Sequence, residues 1–242
     1  MNRIVFAGPS IHGIDLSNYR GIQLHPPAAA GDMLSAVDAG FDVIGLIDGL
    51  YKDQAAVWHK ELLYALSKGV LVLGAASMGA LRAAECDSFG MIGLGQVYQA
   101  YRTGMRTSDA DVAVLHAPTE MGFRPLTIAL VDAEATIESL RERIGDEQAA
   151  HLLQAARTLH FSRRSWRQIV TGAKLDRELI AVLSANPISV KRSDAELLLS
   201  TVRNNAFSRQ RPTGWTFQRT IFFDALAARN GSSLKNSEGP HG

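Results

Sequence analysis

The stretch Val70-Leu71-Val72-Leu73-Gly74-Ala75-Ala76-Ser77-Met78-Gly79-Ala80-Leu81-Arg82-Ala83-Ala84-Glu85 decides the fold. Its first four residues are aliphatic without a polar interruption, as in a short strand buried on both faces. Residues 78–89 carry a helical pattern, and a turn of small residues ending at Ser77 separates the two. Strand, tight turn and helix form the repeating unit of a parallel sheet covered by crossover helices. The unit recurs upstream. Residues 42–47 read as an apolar, β-branched strand ending in Asp48-Gly49, and residues 54–67 as a helix closed by Lys68-Gly69, where glycine accepts the left-handed conformation past the last turn. Residues 3–7 and 21–24 read as further strands, and residues 30–39 as a helix stopped by Gly40. The expected class is α/β: a three-layer, mostly parallel, Rossmann-like sheet with a smaller C-terminal helical region.

Downstream, residues 111–116 read as another strand, and residues 126–131 fit a strand or a helix. Residues 133–156 are helical with a break at Gly145-Asp146, and shorter helices are expected at 165–171, 175–184, 193–203 and 215–228. Charge divides the chain. Residues 157–219 hold ten arginines and two lysines against four acidic residues, a balance of +8, whereas the whole chain carries +1. The expected organisation is an α/β core over 1–132, a basic helical region over 133–229 and a disordered tail over 230–242, where apolar content is too low to fold. The near-neutral whole does not point to nucleic acid. The basic stretch Arg163-Arg164-Ser165-Trp166-Arg167 fits a solvated helix face or an acidic protein partner at least as well. No apolar run reaches the roughly 18 residues of a membrane span, so no membrane is expected. The apolar start is too short for a signal peptide, and the expected location is cytoplasmic.

An open parallel sheet binds ligands beyond the carboxyl ends of its strands. Gly8-Pro9-Ser10, His25, Asp48-Gly49, Ser77 and His116 all fall at such ends. Two roles fit Ser77. Small residues on either side and a helix behind it match a nucleophile elbow, in which Met78 and Gly79 would lend free N–H groups to an oxyanion. Serine is equally a favoured helix N-cap. His59 shares the i, i+3, i+4, i+7 spacing of Leu62, Leu63 and Leu66, which places its ring on the inward stripe, as a general base toward serine or as a buried histidine bonded to a carbonyl. Asp48 suits the orienting of a histidine or the capping of a turn. Lys60 reads as a solvated side chain, and Arg82 with Glu85 as a helix-face ion pair. The Gly8-Pro9-Ser10 loop offers backbone N–H groups to an anion but lacks the glycines and lysine of a phosphate loop, so no nucleotide cofactor is expected. No short histidine spacing supports a metal. The single Cys86 leaves no intramolecular disulfide, and in mid-helix it is expected to be packed.

Taken together, Phe6-Ala7-Gly8-Pro9-Ser10, Pro26-Pro27-Ala28-Ala29-Ala30-Gly31-Asp32, Ile47-Asp48-Gly49, Trp58-His59-Lys60-Glu61-Leu62, Ser77-Met78-Gly79-Ala80-Leu81-Arg82-Ala83-Ala84-Glu85 and Phe89-Gly90-Met91 resemble the TfuA-like family in order and spacing. The resemblance implies a partner of YcaO enzymes in backbone thioamidation of peptides or proteins, including ribosomally made peptides. It implies release of sulfide from the C-terminal thiocarboxylate of a ThiS-like sulfur carrier protein, with no cofactor. On that reading Ser77 attacks the thiocarboxylate carbon, His59 takes its proton, Asp48 fixes the imidazole, and N–H groups near Gly8 and Met78 hold the oxyanion. His59 acting directly on water, or Lys60 or His116 as the base, are alternatives, and Arg82 could steer the carrier's carboxyl terminus. The rival from another class is a non-catalytic adaptor that docks YcaO or its substrate. A nucleotide-binding regulator would need a phosphate cradle that the sequence lacks.

Overall fold

Short runs rich in Val, Ile and Leu gather into one parallel sheet. The computed structural model describes residues 1–50, 55–204 and 214–232. Among them, β1 (Arg3–Phe6), β2 (Gln23–His25), β3 (Val43–Leu46), β4 (Leu71–Ala75) and β5 (Ile92–Leu94) pair in parallel in the order β2-β1-β3-β4-β5. The helices are α1 (Asp32–Asp38), α2 (His59–Ser67), α3 (Met78–Cys86), α4 (Gly95–Arg102), α5 (Leu130–Ser139), α6 (Arg141–Ile144), α7 (Asp146–Thr158), α8 (Trp166–Gly172), α9 (Glu178–Ala185), α10 (Val190–Asn204) and α11 (Ile221–Arg229). Among the described residues no helix is long and apolar enough to cross a membrane.

Successive strand side chains point to opposite faces, and both faces here are apolar. Ile4, Phe6, Ile44, Leu46 and Val72 pack with Met33 of α1, Leu62 and Leu66 of α2, and Ala80 and Ala83 of α3. Val5, Val43, Leu73 and Ala75 meet Ala195, Leu198, Leu199 and Val202 of α10. The result is three layers, with α10, from the basic part of the chain, as the cover of one face. Gly45 makes that cover possible, because a methyl there would lie 2.8 Å from both Leu198 and Val5. A second core joins α5, α7, α8 and α9 through Ile137, Leu152, Ile169 and Leu183.

Four expectations about local structure need correction. Residues 111–116 are not a strand. Their backbone turns back on residues 124–127, with Ala117 N–H donating to the Arg124 carbonyl and Leu126 N–H to that of Leu115. The edge position belongs instead to β5, too brief to show a period, where Gly93 leaves room for the Tyr98 ring. Helix α2 begins at His59 and not at 54; residues 55–58 are not helical, and 51–54 lie outside the described residues. Helix α10 begins at Val190, earlier than the expected 193, because Asp132 grips its start by accepting from Lys191 N–H and the Ser189 hydroxyl. Finally, residues 215–220 are not helical, and α11 starts after the Thr220 cap. The tail expected over 230–242 falls almost wholly outside the described residues.

Candidate functional site

Strand order reverses where β1 has β2 on one side and β3 on the other, which opens a crevice beyond the carboxyl ends of β1 and β3. Asp48, only 2% exposed, bridges it. Its Oδ2 accepts from Gly8 N–H at 2.9 Å and Ser10 N–H at 3.0 Å, and its Oδ1 from the Ser10 hydroxyl at 2.7 Å. The first-strand loop thus binds an anion, and the anion is the chain's own carboxylate. The Gly8 N–H is therefore not available to hold an oxyanion, which corrects the role expected for it. Gly8 has no side chain because Pro27 and Phe123 close on that position.

Ser77 follows β4 through a strained turn. Ala76 has φ 66°, and Ser77 N–H donates to the Ala75 carbonyl at 2.7 Å, an i to i+2 bond around a positive-φ residue. Such geometry is unfavourable for a residue with a Cβ and persists only where surrounding packing enforces it. Gly79 explains the enforcement. Its N–H donates to the Ile47 carbonyl at 3.1 Å, and a methyl on it would collide with the Leu46 carbonyl oxygen. Helix α3 is thereby clamped against the end of β3. The Ser77 side chain makes no capping bond to α3, so the N-cap role is not the one it adopts. Among the first four amides of α3, those of Gly79, Ala80 and Leu81 are bonded to Ile47 and Ser77 carbonyls. Met78 N–H is the one without a partner among the described residues, and it stands beside the serine at the positive end of the helix.

Ser77 and Asp48 line one cleft of about 680 Å³ together with Arg82, Glu85, His116 and Lys191. His116 Nδ1 lies 2.9 Å from the Ala117 carbonyl oxygen, which can only accept. Nδ1 therefore carries the proton of the neutral ring, and Nε2 keeps its lone pair. The Lys191 ammonium, on a residue only 3% exposed, donates to the Val112 carbonyl at 2.6 Å. Burial lowers its pKa, against the opposing pull of Asp48 and Asp132. Arg82 donates to Glu85 Oε2 at 2.6 Å and to the Val57 carbonyl at 3.1 Å, the ion pair expected from their spacing. Burial alone would raise the Glu85 pKa, but its bonds to His59 and Arg82 outweigh that and hold it below the usual carboxylate value.

The remaining expected residues sit elsewhere. His59 does not point inward. As the first residue of α2 it stands where the buried stripe has run out, exposed, with Nε2 2.7 Å from Glu85 Oε2. Its orienting carboxylate is Glu85 rather than Asp48, and among the described residues no hydrogen bond joins it to Ser77. Lys60 turns to the C-terminal segment, donating to the Gln218 carbonyl at 2.7 Å and lying over the Phe217 ring. His25 is exposed and packs edge-on against Phe6, outside the cleft lining. Pro9 reaches the cleft wall. Cys86 is packed as expected, and burial pushes its thiol up to about 11.

Two functional-looking residues have no role assigned to them by the sequence. Glu61, with no exposure, accepts from Gly31 N–H at 2.7 Å and Trp58 N–H at 3.0 Å; burial pushes it up to about 7. It ties the starts of α1 and α2 together. Lys191 also had a legible signal. With Ala195, Leu198 and Val202 it follows i, i+4, i+7 and i+11, the stripe that α10 buries. A helix drawn from 193 leaves it out. Comparison with known proteins covers Asp48, Ser77 and His116 but not Lys191: residues 48–165 match the family described as TfuA-like protein. No curated protein matches the chain.

Proposed function

The chain belongs to the TfuA-like family by its residues 48–165, and from that premise we propose that the Ser77 cleft hydrolyses the C-terminal thiocarboxylate of a ThiS-like sulfur carrier protein. The sulfide released would serve a YcaO enzyme in backbone thioamidation. The observation that carries this reading is a serine hydroxyl not used for capping, which lines the cleft beside the first amide of a helix and follows a strained turn.

Acyl transfer needs a nucleophile, a base and a site for the oxyanion. Ser77 attacks the thiocarboxylate carbon, and Met78 N–H stabilises the oxygen as its charge grows. His116 is the base best supported, since its Nε2 lone pair belongs to a ring that lines the same cleft. His59, tied to Glu85, is assigned with Arg82 to the rim, where the carrier's terminus would enter. The C–S bond breaks, the sulfur departs as hydrosulfide with the proton lost by Ser77 balancing the one it gains, and water hydrolyses the acyl-serine to a carboxylate.

The purified chain mixed with a thiocarboxylated carrier, without YcaO, is expected to release sulfide well above the spontaneous rate. Ser77→Ala and His116→Ala should each lower that rate by about 100-fold or more while the fold is retained. A carrier that survives at its spontaneous rate would leave the chain as a docking adaptor. Full activity in Ser77→Ala would shift the attack to water.

A further inference from the structure

We propose that Lys191 is the cation that holds the anionic sulfur end of the substrate in the cleft and protonates the sulfur as it leaves. The inference rests on the hydrolytic reading of the Ser77 cleft and adds to it a residue from outside the matched segment 48–165.

The chemistry calls for such a group. A thiocarboxylate is an anion at neutral pH, so attack by serine puts a second negative charge on the tetrahedral adduct, one on oxygen and one on sulfur. Met78 N–H can serve the oxygen. The sulfur needs a cation, and it needs a proton if it is to leave as hydrosulfide rather than as a dianion. The balance closes: serine loses a proton to His116, Lys191 gives one to sulfur, the C–S bond breaks, and Lys191 is recharged from the histidine. The sum is thiocarboxylate plus serine giving acyl-serine plus hydrosulfide.

The structure narrows the choice of cation. Arg82 is engaged by Glu85 and the Val57 carbonyl. Lys191 Nζ, among the described residues, has one hydrogen bond, to Val112, and an ammonium has three donors to give. Its position is fixed from behind, since Asp132 accepts its backbone N–H at 3.1 Å and α10 is seated on the sheet by Leu198 and Leu199. The charged groups facing it are Asp48 from the end of β3 and Asp132 from α5, with Arg82, Glu85, Asp109 and His116 on the same cleft wall. The two aspartates oppose the burial that lowers its pKa, and that burial makes its ammonium a readier acid.

The test compares a short peptide ending in a thiocarboxylate with the neutral ethyl thioester of the same peptide, using the full chain. The wild type should cleave both, and Ser77→Ala neither. Lys191→Met should lose about 100-fold in kcat/KM on the thiocarboxylate and about 10-fold less than that on the thioester, which carries no charge to hold and whose sulfur can leave as a thiolate without a proton. Lys191→Arg should recover part of the thiocarboxylate activity. Equal losses on both substrates, or no loss on either, would overturn the role of Lys191. A wild type that cleaves neither would overturn the hydrolytic reading itself. Should Lys191→Met not fold, the wild-type ratio of thiocarboxylate to thioester kcat/KM decides, because titration of the other groups acts on both substrates. That ratio should fall as pH rises through the lowered Lys191 pKa, and a flat ratio would overturn the proposal.

Discussion

At the scale of single residues, the site is organised by a carboxylate that had been expected to serve a histidine. Asp48 satisfies two backbone amides and one hydroxyl of the Gly8-Pro9-Ser10 loop, all in a buried setting. Removing it leaves three donors without an acceptor, and donors stranded in this way cost more than the net worth of their bonds. Asp48→Ala is expected to lower stability by about 2–4 kcal/mol, read as a shift of the denaturant midpoint at unchanged slope. If the midpoint does not move, the loop does not depend on this carboxylate. Ser77 differs in kind, since its hydroxyl supports neither the helix nor the strand. Ser77→Ala should leave the unfolding free energy within about 0.5 kcal/mol of the wild type while it removes the proposed sulfide release.

At the scale of elements, α2 and α3 are positioned by features invisible to periodicity. Helix α3 reaches β3 because Gly79 lacks a Cβ; Gly79→Ala must push the helix off the Leu46 carbonyl. Its expected cost is about 1–3 kcal/mol, with the proposed sulfide release lost alongside because Ser77 and Met78 move with the helix. Helix α2 is fixed by Glu61, whose buried carboxyl is pushed up from 4.5 to about 7. Between those two values the folded chain keeps a proton that the unfolded chain has released, so stability falls as pH rises through this window. Thermal melts across it should show that decline in the wild type and a flatter profile in Glu61→Gln; parallel profiles would remove Glu61 as the cause.

At the scale of the whole molecule, the basic part of the chain is not an appendage to the sheet. Helix α10 supplies the cover of one sheet face through Leu198, Leu199 and Val202, and it brings Lys191 into the cleft. Leu198→Ala should cost about 2–5 kcal/mol, the range for a buried leucine. A chain ending at residue 189 should expose Val5, Val43 and Leu73, bind a hydrophobic dye and lose cooperative melting. Cooperative melting of that truncated chain would show that the sheet stands without its cover.

The sequence by itself determined the α/β class, β1, β3 and β4, the helix after Ser77 and the gathering of Gly8, Asp48 and Ser77 at one edge. These follow from local apolar runs and from the rule that a parallel sheet presents its strand ends together. Only the tertiary structure decided which of those groups are partners. Asp48 went to the Gly8 loop instead of to His59, and His59 went to Glu85, because hydrogen bonds between residues far apart in the chain leave no trace in spacing. The stripe rule misled at His59, the tip of a shortened helix, and would have succeeded at Lys191 had the start of α10 been placed at Val190. That start is set by Asp132, nearly sixty positions earlier in the chain. The Ser77 turn was legible as a place where chemistry could occur, with Asp48 and His116 near it; that Lys191 lines the same cleft was not.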